Sequence, residues 1–219
     1  MRWEFIYRRD ISWPELEKVH KTLIDQVKSD NSQAFLLISE PWPTFTYGRS
    51  SAPSDLVWSK ELLDKEGVAV FPVTRGGKWT YHGPGQILIY PILHLPSHGY
   101  SSKSVRIFLE DLRWAVKEEL EVLGCSELTS EEPFGLYLGH KKLVSFGFAF
   151  ERGISSNGLA VYYTEQARFF AGIHPCGVCQ GQSTSLSDLL PSQLSWNSVA
   201  SSLADRIKNH LSLRSSRVL

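Results

Sequence analysis

Cysteine is scarce in this 219-residue sequence, neither sign of charge is in excess, and long apolar runs are missing. Cys125, Cys176 and Cys179 are too few and too unevenly spaced for a disulfide framework, so a reducing compartment and a free thiol are expected. Twenty-three Lys and Arg balance 23 Asp and Glu, which leaves no overall attraction toward nucleic acid or anionic lipid. Local patches are then the only electrostatic means of meeting a partner. No run of about 18 apolar residues is present to cross a bilayer, and the charged opening Met1-Arg2-Trp3-Glu4 lacks the apolar core of a secretory signal. A cytoplasmic protein with neither nucleic acid nor membrane as partner is expected. Internal repeats, low-complexity tracts and a long Pro/Ser-rich linker are also missing, so the 42% hydrophobic and 12% aromatic content is expected to form a single domain over residues 1–219.

What is there reads as an α+β fold. Ser12, with Pro14 and then Glu15 three residues on, forms a capping-box pattern, and Leu16, Val19, Leu23 and Val27 continue a helical stripe to about residue 29. A second stripe runs from Val105 through Phe108, Leu112, Ala115 and Val116 to Leu123 and stops at Gly124, predicting a helix over about 103–123. A third helix is predicted over about 195–212, on Val199, Leu203, Ile207 and Leu211. Strand-like segments cover 3–7, 34–39, 68–73, 86–93, 142–150 and 158–163, and residues 96–104 read as a loop. The strands come in runs without strict helix alternation, which favours a mixed β-sheet with helices packed on one face over a doubly wound sheet.

Three segments carry chemistry. Residues 75–86, Arg-Gly-Gly-Lys-Trp-Thr-Tyr-His-Gly-Pro-Gly-Gln, place four glycines, an Arg and a His between two strand-like runs. Glycines let a ligand approach backbone N–H groups, although a hairpin with a wide turn has the same composition. Neither the dinucleotide nor the P-loop spacing fits. His174-Pro175-Cys176-Gly177-Val178-Cys179 offers three soft ligands or nucleophiles. A zinc site would need a remote fourth ligand, the His-x-Glu partner of a deaminase occurs nowhere, a dithiol motif should open a helix, and two inert buried cysteines remain an alternative. Lys141-Lys142 opens an apolar strand. Such a pair usually solubilises a turn, but one lysine beside a thiol would hold it as thiolate.

As a set, residues 75–86, Lys-Leu-Val-Ser-Phe-Gly at 142–147, Gly-Leu-Ala at 158–160, Ile-x-Pro-Cys-Gly at 173–177 and Thr184-Ser185-Leu186 resemble the octanoyl (lipoyl) transferase family, LipB. Glu40-x-Pro and Thr46-Tyr47-Gly48-Arg49 extend the resemblance to about residues 35–190. It implies the biotin/lipoate protein ligase fold and a two-step acyl transfer without metal or cofactor. Cys176 takes an octanoyl group from octanoyl-acyl carrier protein as a thioester. It then passes the group to a lysine of a lipoyl domain, in 2-oxoacid dehydrogenases or the glycine cleavage H protein. Lys142 would lower the thiol pKa and shuttle protons. Arg75, Gly76, Gly77, Lys78, Trp79, Thr80, Tyr81 and His82, with Ser145, Phe146, Gly147, Gly158, Leu159 and Ala160, would wall the acyl tunnel. Core packing is the alternative for Tyr81 and Phe146.

The sequence departs from the family at Asn157, where a His is usual, at Tyr162, where an Asn is usual, and at Lys78-Trp79. Two other readings stand beside this one, the second of them suggested by Asn157. One is a lipoyl amidotransferase working between carrier proteins, and the other is a noncatalytic acyl- or carrier-binding homologue. Because any protein partners of this pathway are acidic, Arg49, Arg75, Lys78 and Lys141 are expected to form a basic rim at the tunnel mouth.

Overall fold

The computed structural model describes residues 2–101, 105–131, 134–164, 166–174, 183–190 and 194–215. The chain opens with a β-α-β unit: β1 (Arg2–Ile11), α1 (Trp13–Ser29) and β2 (Gln33–Pro41), with β1 and β2 parallel in unbroken register from Arg2↔Gln33 to Arg9↔Glu40. The capping residues act as their spacing predicts. Ser12 donates from its backbone N (3.3 Å) and its hydroxyl (2.6 Å) to the Glu15 carboxylate. Helix α1 buries Trp13, Leu16, His20, Leu23 and Val27, one stripe at three- and four-residue intervals. Burial of each of its apolar members contributes roughly 1.5–3 kcal/mol.

Strands β3 (Thr44–Tyr47), β4 (Ala69–Pro72) and β5 (Trp79–His82) form a small sheet in the order β4-β3-β5, with the short helix α2 (Lys60–Glu66) between β3 and β4 in sequence. The chain continues with β6 (Gln86–Leu93), α3 (Val105–Val122), β7 (Leu128–Glu131), β8 (Gly135–Leu138), β9 (Lys141–Glu151) and β10 (Ile154–Tyr162). Two single-turn helices, α4 (Ala167–Phe170) and α5 (Leu186–Leu189), and the long α6 (Trp196–Ser215) complete it. The main sheet has seven strands in the order β1-β2-β6-β10-β9-β8-β7, antiparallel everywhere except β1–β2.

The expectation of helices on one face needs correction. Helices α3 and α6 cover one face of the main sheet around Ile87, Ile89, Leu159 and Val161, whereas α1 and the small sheet pack on Leu88, Tyr90, Ala160 and Tyr162 of the other. The cause lies in β6, whose eight residues are all buried: a strand apolar on both sides must be covered on both sides. Strands β3, β5, β7 and β8 and helices α2, α4 and α5 went unanticipated. All are short, and β5 forms inside the glycine-rich segment by pairing with β3, Phe45↔Tyr81 and Thr46↔Thr80. In the loop expected at 96–104, Pro96–His98 make a 3-10 turn, and 102–104 lie outside the described residues.

Candidate active site

The glycine-rich segment is shaped by its own arginine. Arg75 donates to the carbonyls of Gly76 (2.9 Å) and Lys78 (3.0 Å) and to the hydroxyl of Thr46 (2.9 Å), so one guanidinium holds both ends of the turn against β3. Gly48 lies beneath the turn, where a Cβ would run into the Gly77 and Arg75 carbonyls. Trp79 donates its indole N–H to the Ala52 carbonyl at 3.0 Å and packs on Tyr47. The residues of β5 divide between two environments. Trp79, Thr80 and His82 border a cavity, while Tyr81 is fully buried elsewhere, stacked on Phe169 at 4.2 Å. Tyr81 is the only one of the fourteen expected tunnel residues absent from that cavity's lining.

Strands β9 and β10 bring the other two stretches together as cross-strand pairs: Ser145↔Ala160, Phe146↔Leu159 and Gly147↔Gly158. Gly158 has no room for a side chain, because a Cβ would strike the Ile89 carbonyl of β6. A bulge then decides the direction of the lysine. Leu136 pairs with Val144 and Tyr137 with Lys142, so Leu143 is the extra residue, and both Leu143 and Val144 enter the core on the α3/α6 side. Lys142 therefore borders the same cavity as Ser145 and Gly147. It is buried, with its ammonium 5.1 Å from the centre of the Tyr137 ring, whereas Lys141 is exposed.

The cavity measures about 390 Å³ and is completed by Trp13, Val73, Tyr90, Phe134, Phe148, Asn157, Tyr162 and Phe170, which were not expected as tunnel residues. These come from three strands, two loops and two helices, and only folding brings them together. Strand patterning marked most of them as apolar and no more. Ser145 and Tyr162 share a hydroxyl hydrogen bond of 2.7 Å. Phe146 meets Phe134 edge-on, and Arg113 lies 4.6 Å over the Phe134 ring. A volume of this size suits a small apolar ligand with a few fixed polar groups around it.

Two buried histidines are held neutral. Burial lowers His20 to about 4, and its Nε2 accepts the Asn157 backbone N–H at 3.3 Å. Burial, helped by the Arg75 charge, lowers His82 to about 3. Both values lie below an unfolded value near 6.5, so each histidine stabilises the fold fully above that pH. The contribution is lost as pH falls from about 6.5 toward the folded value. Chemical denaturation should therefore show a loss on the order of 2 kcal/mol per histidine between about pH 7.5 and pH 5. A His20→Asn variant should lose less over that interval; equal losses in the two proteins would count against the burial of a neutral His20.

The expected nucleophile, Cys176, and its neighbour Cys179 lie outside the described residues. The chain on either side is anchored. His174 donates its backbone N–H to the Asp55 carbonyl at 2.7 Å, and Ile173 bridges Leu56. Downstream, Ser183 bridges Lys142 and Thr184 donates to the Lys142 carbonyl at 3.0 Å. Ser185 then caps α5 through Asp188. The segment carrying Cys176 thus re-enters the described fold directly beside Lys142. Of the expected basic rim, Lys78 and Arg75 border the cavity, but Arg75 turns its guanidinium into its own loop, and exposed Arg49 and Lys141 are not in the lining.

The sequence profile of the lipoyl protein ligase A/B catalytic domain matches residues 17–208. The chain belongs to this family, on its LipB branch. It is 35% identical to the octanoyltransferase of Syntrophobacter fumaroxidans over 79% of this chain and 74% of that one. To the octanoyltransferase of Caldicellulosiruptor saccharolyticus it is 34% identical, over 86% and 78% of the two chains. The fold is also that of more distant ligases. A lipoate-protein ligase A bound with ATP superposes with a TM-score of 0.78 at 14% identity, over 96% of this chain and 86% of that one. The lipoate protein ligase of a Thermoplasma acidophilum lipoylation system gives 0.73 at 14% identity, over 96% and 84%. A biotin protein ligase of Aquifex aeolicus gives 0.51 at 10%, over 99% and 71%. Its LipB membership, the mixed sheet and these neighbours agree with the α+β biotin/lipoate ligase fold that the motifs imply.

Proposed function

We propose that Cys176 of this octanoyltransferase-branch enzyme takes an octanoyl group from acyl carrier protein as a thioester and passes it to a lysine of a lipoyl domain. The reading rests on one observation above the others: Lys142, Ser145–Gly147, Gly158–Ala160 and most of residues 75–82 border a single cavity, and the Cys176 segment rejoins the fold at Lys142. That the chain is an acyltransferase moving octanoyl groups in lipoylation follows from its family and relatives. The cysteine intermediate and the two carrier proteins are the proposal.

Chemically the scheme needs no external energy. Exchange between two thioesters is nearly isoenergetic and amide formation is downhill, so a thiolate nucleophile suffices. The apolar lining receives the acyl chain, and Lys142 supplies a positive charge and a proton at the polar end. Acceptor lysines would come from lipoyl domains such as those of 2-oxoacid dehydrogenases and the glycine cleavage H protein.

Intact-mass measurement after incubation with octanoyl-acyl carrier protein should show the protein heavier by one octanoyl group, and the increment should vanish on addition of a lipoyl domain, which gains it. Binding of the carrier with no mass increment would overturn the reading in favour of a noncatalytic homologue. Loading from an octanoylated lipoyl domain but not from acyl carrier protein would favour the amidotransferase.

A further inference from the structure

Gln86 fixes which nitrogen of His82 carries the proton. Its side chain is fully buried, and its Nε2 donates to the Tyr81 carbonyl at 3.1 Å. A carbonyl can only accept, so this bond sets the orientation of the amide and turns Oε1 toward His82 Nδ1, 3.1 Å away. An amide oxygen accepts as well, so Nδ1 must hold the hydrogen and Nε2 is left with a lone pair. The ring is clamped by stacking on Trp13, with centroids 5.3 Å apart and planes 4° from parallel. His82 borders the cavity.

The groups that act on this ring are Arg75 in the glycine-rich loop, Gln86 on β6 and the indole of Trp13 on α1, while Lys142, Ser145, Tyr90 and Asn157 border the same cavity. Burial disfavours an imidazolium and the Arg75 cation acts in the same direction, so the ring stays neutral. It is therefore too weak a base to carry a proton at neutral pH. What it offers the cavity is a fixed acceptor, among side chains that are mainly donors.

We propose that His82 Nε2 orients the attacking amine of the acceptor lysine by accepting one of its N–H bonds, with Gln86 as the positioning residue for that ring. This rests on the acyl-transfer reading above. Among the reacting groups, the thioester oxygen and the thiolate only accept and the acyl chain does neither, which leaves the amine as the donor that needs such an acceptor. In the step, the amine nitrogen attacks the thioester carbonyl, the C–N bond forms and the C–S bond breaks. One amine proton passes to the departing sulfur, by way of Lys142. The other stays on nitrogen as the amide N–H, and it is this retained hydrogen that His82 holds. His82 begins and ends the step neutral.

The first measurement needs no activity. Nitrogen-15 NMR of histidine-labelled full-length protein should find His82 with its hydrogen on Nδ1 and no protonation between about pH 5 and 8, the range in which an ordinary histidine titrates. A hydrogen on Nε2, or titration in that range, would overturn the proposal. The second measurement separates the half-reactions in single turnovers, loading from octanoyl-acyl carrier protein and discharge to a lipoyl domain. His82→Ala should slow discharge relative to loading by about tenfold to a hundredfold, the range for one substrate hydrogen bond. Gln86→Glu places a carboxylate on Nδ1–H, favours the imidazolium and turns Nε2 into a donor. Discharge by that variant should be slow at neutral pH and recover as pH rises, which a loss of packing alone would not produce. If the wild-type protein forms no octanoyl adduct, the acyl-transfer reading fails and this proposal with it. If the adduct forms but His82→Ala slows loading as much as discharge, the acceptor is not orienting the amine, and only the assignment of His82 falls.

Discussion

Replacing Cys176 with serine is expected to remove the octanoyl adduct and to lower acyl transfer by at least about a thousandfold, the scale on which loss of a covalent nucleophile is felt. A thiol ionises to a few per cent near neutral pH and is intrinsically nucleophilic, whereas a serine hydroxyl would need a general base aimed at it. The other cysteines are controls. Cys125 is buried between α3 and β7, and burial pushes its thiol up to about 11, which leaves it unreactive at neutral pH. Cys179 is three residues from Cys176 in sequence. Cys125→Ser and Cys179→Ser should both retain the adduct. Peptide mapping decides the matter, and an octanoyl group found on Cys179 or Cys125 would sink the assignment.

Loss of Lys142 is the second large effect. Its side chain is buried and its backbone pairs with Ser183, downstream of Cys176 in the chain, and a cation close to a thiol favours the thiolate. Lys142→Ala should therefore move the iodoacetamide reactivity profile of Cys176 to higher pH by on the order of one to three pH units. It should also slow both half-reactions by on the order of 10²–10⁴, the usual contribution of a positioned acid–base group. Lys142→Met keeps most of the apolar stem, which separates loss of charge from loss of packing against Tyr137. Lys141→Ala, altering the exposed neighbour, should leave the profile in place. Superimposed profiles for wild type and Lys142→Ala, with a shift in Lys141→Ala, would reverse the assignment within the pair.

Local chemistry alone marked out a good part of this protein. The helix at Trp13–Ser29 was legible because its cap, its proline and its apolar stripe are all properties of neighbouring residues. Val105–Val122 and Trp196–Ser215 were legible for the same reason, as were the long apolar strands. The motif set also singled out Lys142, Cys176 and the three glycine-bearing stretches, because the chemistry of a thiol, an amine and a bare backbone depends on residue type. Tertiary structure decided the rest. The bulge at Leu143 turns Lys142 to the side of Ser145 and Gly147, and simple alternation would have placed it on the opposite face. Pairing of β5 with β3 sent Tyr81 to the core and His82 to the cavity, though both lie in the same glycine-rich run. Trp13 and Tyr90 became cavity wall only because α1 crosses the face of β6 and β10 that the small sheet also covers. Residue type sets which groups can react or pack, but which of them share one cavity depends on strand register and layer packing between segments far apart in the chain.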